Sequence, residues 1–252
     1  MKRAIRENLA TGGVPFTIPR SEPRRNHPRV VLVVDVSWSA ARAAGLFLML
    51  ALELLRHDRR TRVHLFVDRP VDATEALRSW LRRSGAGPRR EEAGADARMA
   101  DGAGGAGGSV APSRTLPRAR RPAVGAGLAS PAGEVSFAAM LDSVRGIDPG
   151  AASDYGRTFY ALGSGPLRTL GKDAVLVVLG DGRTNVYEPL PWAFEEIAER
   201  ARRVIWLIPE ARERWGTGDS ALPQYLQFCD VAVEARDLEG LARGVRELAR
   251  AL

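Results

Sequence analysis

An aspartate and two serines at alternate positions, Asp35, Ser37 and Ser39, follow directly on the apolar run Val30-Val31-Leu32-Val33-Val34. One carboxylate and two hydroxyls are hard oxygen donors, and such a set suits a small divalent cation, Mg2+ or Mn2+. Three donors on one loop do not complete an octahedron. Two other stretches offer matching groups. Ser153-Asp154-Tyr155-Gly156 opens a helix-like run, and Gly180-Asp181-Gly182 closes a second apolar run at 174–179.

These groups depend on the elements that carry them. A continuous β-branched and leucine run behind Pro28 reads as a fully buried parallel strand, and the C-terminal ends of such strands are where open α/β sheets place ligands. Residues 40–55 are almost wholly apolar, with Gly45 the one weak helix former. The Asp-x-Ser-x-Ser loop therefore sits between a buried strand and a buried helix. The segment 62–67 alternates as a second strand, and 72–83 spaces Thr74, Leu77, Trp80 and Leu81 on one helical face. Helices are expected near 134–145, 156–170 and 191–202, and strands at 174–179, 203–208 and 231–234. In the last helix, Leu238, Leu241, Val245, Leu248 and Leu252 recur at steps of three and four, an apolar stripe that covers a sheet. Alternating strands and helices imply an α/β fold: a doubly wound, mostly parallel, Rossmann-like sheet with helices on both faces.

With the three pieces in this order, the sequence resembles the von Willebrand factor A (VWA) domain and its metal-ion-dependent adhesion site. Further motifs narrow the resemblance to the CoxE-like branch: Arg3-Ala4-Ile5-Arg6-Glu7-Asn8-Leu9-Ala10-Thr11-Gly12-Gly13, then Trp215-Gly216-Thr217-Gly218-Asp219-Ser220-Ala221-Leu222, Tyr225 and Cys229-Asp230. The resemblance implies that Ser37, Ser39 and Ser153 touch a Mg2+ or Mn2+ ion and that Asp35 and Asp181 hold it directly or through water. It also implies a non-enzymatic protein-binding module, with an acidic residue of a partner completing the shell. The expected partner is a MoxR-type AAA+ ATPase or its client, in maturation or assembly of a client complex. Trp38 and Ala40 stand where the family usually has Gly and Met. Trp38 and Asp154 are candidate partner contacts, and Asp154 also suits a helix N-terminus. The longer helical region that usually precedes the domain is not expected here.

The chain of 252 residues is 45% hydrophobic, enough for one core. The expected organisation is a basic linker at 1–28 and a single VWA domain at 29–252, interrupted at 84–133. That segment consists mainly of Gly, Ala, Arg, Pro and Ser and offers almost nothing to bury, so it is expected to be a disordered insertion. The net charge of +7 lies outside the regular elements. Residues 1–30 hold seven basic residues against two acidic ones, and 84–133 hold seven against four, which leaves the remainder slightly acidic. These two basic segments share one aromatic residue, Phe16, so stacking platforms for nucleic acid are missing and none is expected as a partner. No apolar stretch reaches the roughly 18 residues of a membrane span and no signal-peptide core is present, which together suggest a cytoplasmic protein. The single cysteine, Cys229, excludes an internal disulfide and reads as a small buried residue before the last strand.

The same residues admit other chemistries. A haloacid-dehalogenase-like, Mg-dependent phosphatase would use Asp35 as nucleophile and the Gly180-Asp181-Gly182 loop, but it needs a second acid where this chain has Ser37. A serine hydrolase would need a Gly-x-Ser-x-Gly elbow, and ATP binding a Gly-x-x-x-x-Gly-Lys-Ser/Thr loop; neither occurs. His27, His57 and His64 are expected to be solvated or packed rather than catalytic. A metal-free scaffold, with Ser39 merely capping the helix and Asp181 in an ordinary turn, is the remaining alternative.

Overall fold

The apolar runs form the sheet the alternation implies. The computed structural model describes residues 28–38, 40–84 and 137–252. In it, β1 (Arg29–Asp35), β2 (Arg62–Phe66), β4 (Ala174–Leu179), β5 (Arg203–Ile208) and β6 (Val231–Glu234) run parallel. A short antiparallel strand, β3 (Pro70–Asp72), pairs with β2 at the edge, which gives the order β3-β2-β1-β4-β5-β6. The helices are α1 (Ala41–His57), α2 (Thr74–Arg83), α3 (Phe137–Asp142), α4 (Tyr155–Ser164), α5 (Pro191–Arg200), α6 (Leu222–Leu226) and α7 (Leu238–Ala251).

The period of two along each strand sorts its side chains between two cores. Val30, Leu32 and Val34 of β1, with Val175, Val177 and Leu179 of β4, pack against α1, α2, α3 and α7, where Phe47 and Leu48 are fully buried. Val31 and Val33, with Leu176, Val178 and Trp206, face α4, α5 and α6 through Phe159, Phe194 and Tyr225. Each large side chain so buried stabilises the fold by about 1.5–3 kcal/mol. The fold is thus doubly wound. Among the described residues no helix is long and apolar enough to cross a membrane.

Several element bounds depart from the sequence expectation for identifiable reasons. Asp72, expected to open a helix, instead ends β3; a three-residue strand is too short to show alternation, and Pro70 is tolerated because the strand lies at an edge. The helix expected over 156–170 ends at Ser164, where Gly165 and Pro166 disfavour continuation. Helix α6, with only five residues, was not anticipated. Residues 1–27 and all but Ser84 of the segment 84–133 lie outside the described residues, so the linker and insertion expectations are not addressed by the structure. Cys229 is partly buried just before β6, and burial pushes its thiol up to about 12.

The topology also explains where a site can form. From β1 the chain turns to β2 on one side, yet β4 returns to the other side of β1. Helix α1 leaves β1 for one face of the sheet, while the loop after β4 leads to α5 on the opposite face. The loops after β1 and β4 thus lead to opposite faces of the sheet, the topological position at which open α/β sheets place ligands.

Candidate functional site

Asp35 is the last residue of β1, and the register that pairs Val34 with Leu179 sets it level with Gly180. Asp181 follows at the same edge. Both carboxylates are fully buried. Asp35 Oδ1 accepts the Ser37 backbone N–H at 2.8 Å, and Oδ2 accepts the Tyr155 hydroxyl at 2.7 Å. Asp181 Oδ1 accepts the Arg183 N–H at 3.0 Å. Burial first, and the neighbouring Asp181 carboxylate second, push the Asp35 carboxyl up to about 7. Hydrogen bonds from the Ser37 hydroxyl and amide and from Tyr155 pull it the other way without cancelling the rise.

Gly180 makes this approach possible. A Cβ there would overlap the Tyr155 hydroxyl and lie 2.8 Å from the Asp35 Cβ. The Trp206 indole N–H donates to the Gly180 carbonyl at 2.8 Å and fixes the strand end from the far side. Tyr155 in turn is wedged against Phe66 and stacked on Trp206, with ring centroids 4.9 and 6.0 Å apart.

The third piece arrives from the loop before α4. The Asp154 N–H donates to the Val67 carbonyl at 2.9 Å, tying this loop to the end of β2, and the Asp154 side chain caps α4 by accepting the Arg157 N–H at 2.8 Å. Asp154 is therefore a cap, half-buried, with its carboxyl raised by that burial. Ser153 is buried, and its Oγ has no hydrogen-bond partner. A buried hydroxyl without a partner carries a desolvation cost of about 1–3 kcal/mol, which a ligand can offset. The Asn185 amide donates to the Ser153 carbonyl at 3.4 Å and links this loop to the one carrying Asp181.

Asp35, Ser37, Ser153 and Asp181 are thus brought to one edge of the sheet. Ser39 lies outside the described residues; the N-cap position of α1 falls on Ala40, which has no capping side chain. Trp38 is 67% exposed on the rim, and its backbone is not among the left-handed non-glycine residues, so the replacement of Gly imposes no strain there. Two participants were not singled out from sequence. Tyr155 had its signal in the motif Ser153-Asp154-Tyr155-Gly156, but its bond to Asp35 spans 120 residues. Arg183 forks onto Glu210 at 3.1 and 2.8 Å and reaches Asp219 at 2.6 Å, anchoring the Trp215–Ser220 motif to the loop of Asp181.

Among the described residues no group of three or more His, Cys, Asp or Glu could hold a metal. The donor set is instead two carboxylates with hydroxyls, the hard-oxygen chemistry of Mg2+ or Mn2+. Two buried like charges and an orphaned hydroxyl at one edge fit a cation.

The family model for "VWA domain containing CoxE-like protein" matches residues 1–100 and 132–243. The chain belongs to this family of VWA proteins. The break in the match, 101–131, falls within the Gly- and Ala-rich segment. Among solved structures, the chain is similar to a von Willebrand factor type A protein from Catenulispora acidiphila, at 12% identity and a TM-score of 0.44, over 88% of this chain and 42% of that one. It is also similar to proximal thread matrix protein 1 from the mussel byssus, solved with a zinc-occupied MIDAS motif, at 13% identity and a TM-score of 0.42, over 88% and 46%. The chain spans less than half the length of these structures. None of the curated proteins compared matches it.

Proposed function

We propose that this VWA module binds Mg2+ or Mn2+ between Asp35 and Asp181 and, through it, captures an acidic side chain of a protein partner. The hydroxyls of Ser37, Ser39 and Ser153 would complete the protein's share of the shell, and the bound cation supplies the attraction for the incoming carboxylate. Asp35 and Asp181 balance its charge, Tyr155 and the Ser37 amide hold Asp35 in place, and the Asn185 contact keeps the Ser153 loop beside the loop of Asp181. The observation that carries this reading is the pair of fully buried carboxylates beside a buried, unpartnered Ser153 hydroxyl. Without a cation that arrangement only costs stability.

The module is proposed to be non-enzymatic. Asp35, the nucleophile a phosphatase would need, is fully buried with each oxygen in a hydrogen bond, and Ser37 stands where the general acid belongs. By family resemblance the partner is a MoxR-type AAA+ ATPase or its client, and the setting is the cytoplasm. Calorimetric titration of the full chain with Mg2+ and Mn2+ tests the site. Saturable binding that Asp181→Asn weakens tenfold or more is the expected result, and no heat of binding for either ion would leave a metal-free scaffold.

A further inference from the structure

Beyond the cation site, the loop that follows Asp181 breaks a local rule of backbone conformation. Asn185, Val186 and Leu190 have φ of 48°, 70° and 44°, and they are the non-glycine residues in the left-handed region among those described. Asn tolerates that region because its short polar side chain bonds locally, but a β-branched residue is among the least suited to it. Val186 is also 97% exposed, so its isopropyl group gains nothing from burial. A strained backbone held at a surface persists only where the surroundings impose it. Here they do. The Tyr187 N–H donates to the Thr184 carbonyl at 3.0 Å, the Tyr225 hydroxyl donates to the Pro189 carbonyl at 2.5 Å, and the Asn185 amide reaches the Ser153 carbonyl. Gly156 leaves room for the Glu188 carbonyl against the first turn of α4, where any Cβ would overlap it.

The result is an apolar ridge of Val186 and Tyr187, the latter 47% exposed, five and six residues beyond Asp181. Trp38 rises from the same edge three residues beyond Asp35. The exposed Arg157 guanidinium lies in the first turn of α4, 4.0 Å from Asp68. A cation attracts any carboxylate, so it supplies affinity without selection; the ridge supplies what it lacks.

Resting on the proposed cation site, we infer that Val186 and Tyr187, with the exposed Trp38 on the loop after β1, form a specificity ridge for a protein segment whose acidic residue is neighboured by a bulky apolar one. The carboxylate meets the cation, and the apolar neighbour covers Val186.

The test is selection of a random twelve-residue peptide library on the immobilised full chain in Mn2+, with elution by EDTA. The expected pool carries Asp or Glu with Leu, Ile, Phe or Trp within two positions. A synthesised winner should bind about tenfold more weakly to Val186→Asn, which suits the left-handed backbone but is polar, while Val186→Ile retains binding. Neither substitution should change Mn2+ affinity more than twofold, and Val186→Asn should not lower the melting temperature. Acidic peptides without an apolar neighbour, an empty pool, or equal binding by Val186→Asn would each overturn the inference while Mn2+ binding stands. Absence of Mn2+ binding to the protein alone would instead overturn the cation reading on which it rests.

Discussion

Replacing Asp181 by Asn should make the metal-free protein more stable and the metal-loaded protein less stable than wild type. The substitution keeps the side-chain volume and an oxygen able to accept the Arg183 N–H now bonded at 3.0 Å, so no cavity opens. What it removes is one of two buried negative charges. With the Asp35 carboxyl moved from 3.8 to about 7, its ionised form costs roughly 4 kcal/mol above pH 7. Burial accounts for the larger share. If the Asp181 charge supplies about one pKa unit of the rise, it contributes on the order of 1 kcal/mol, or about 2–4 °C in melting temperature for a domain of this size.

The sign follows from linkage. The folded-state pKa of Asp35 lies above its unfolded value, so the penalty is absent below about pH 4, grows as pH rises, and is complete above about pH 7. In EDTA the gain for Asp181→Asn should therefore be clear at pH 8 and vanish near pH 5. Mg2+ at a hundredfold its Kd stabilises a binding protein by about 2.7 kcal/mol, and the variant, short of one carboxylate, should gain little of that. The order of melting temperatures by differential scanning fluorimetry thus inverts between EDTA and Mg2+. Equal gains from Mg2+ in both proteins, or a variant less stable than wild type in EDTA at pH 8, would refute the reasoning.

Four shorter expectations follow from the same geometry. Gly180→Ala places a methyl against the Tyr155 hydroxyl and the Asp35 Cβ; it should abolish measurable Mn2+ binding and lower stability by about 1–3 kcal/mol in chemical denaturation. Trp38→Gly should leave Mn2+ affinity within twofold in calorimetry, because the indole is exposed and its backbone is not left-handed. Removing 101–131, the stretch the family match skips, should preserve a single cooperative thermal transition within a few degrees, since Gly and Ala repeats bring no apolar area to a core. No phosphate should be released from an aryl phosphate in Mg2+, and release that disappears in Asp35→Asn would restore the phosphatase reading.

The parts of this molecule legible in its sequence are those set by local periodicity. The run Val30–Val34, its echo at 174–179 and the apolar stripe of α7 each declare an element without reference to anything distant. The position of Asp35 and Asp181 follows, because both lie at strand ends. What was not legible depends on approach between remote segments. Nothing local marks Gly180 as the residue that makes room for Tyr155 and Asp35, since a Gly after a strand reads as a turn whether or not another side chain fills the space above it. Nor does any pattern announce that Arg183 will fork onto Glu210, 27 residues away. Strand β3 escaped because three residues carry no period, and its existence rests on pairing to 64–66.

Two departures from local logic lie at or just beyond the C-terminal ends of β1 and β4, and this is the strongest reason to read that edge of the sheet as functional. Asp35 and Asp181 repel one another in a buried setting, and Val186 stands exposed in a backbone region it does not favour. Natural sequences violate local rules at functional sites and offset the cost elsewhere. Here the offset is visible in Trp206 gripping the Gly180 carbonyl, Tyr225 the Pro189 carbonyl, and Arg183 the far loop. Rigid aromatic and guanidinium anchors hold an edge that would otherwise relax, and relaxation would part the two carboxylates. A scaffold with no ligand to bind gains nothing from preventing that.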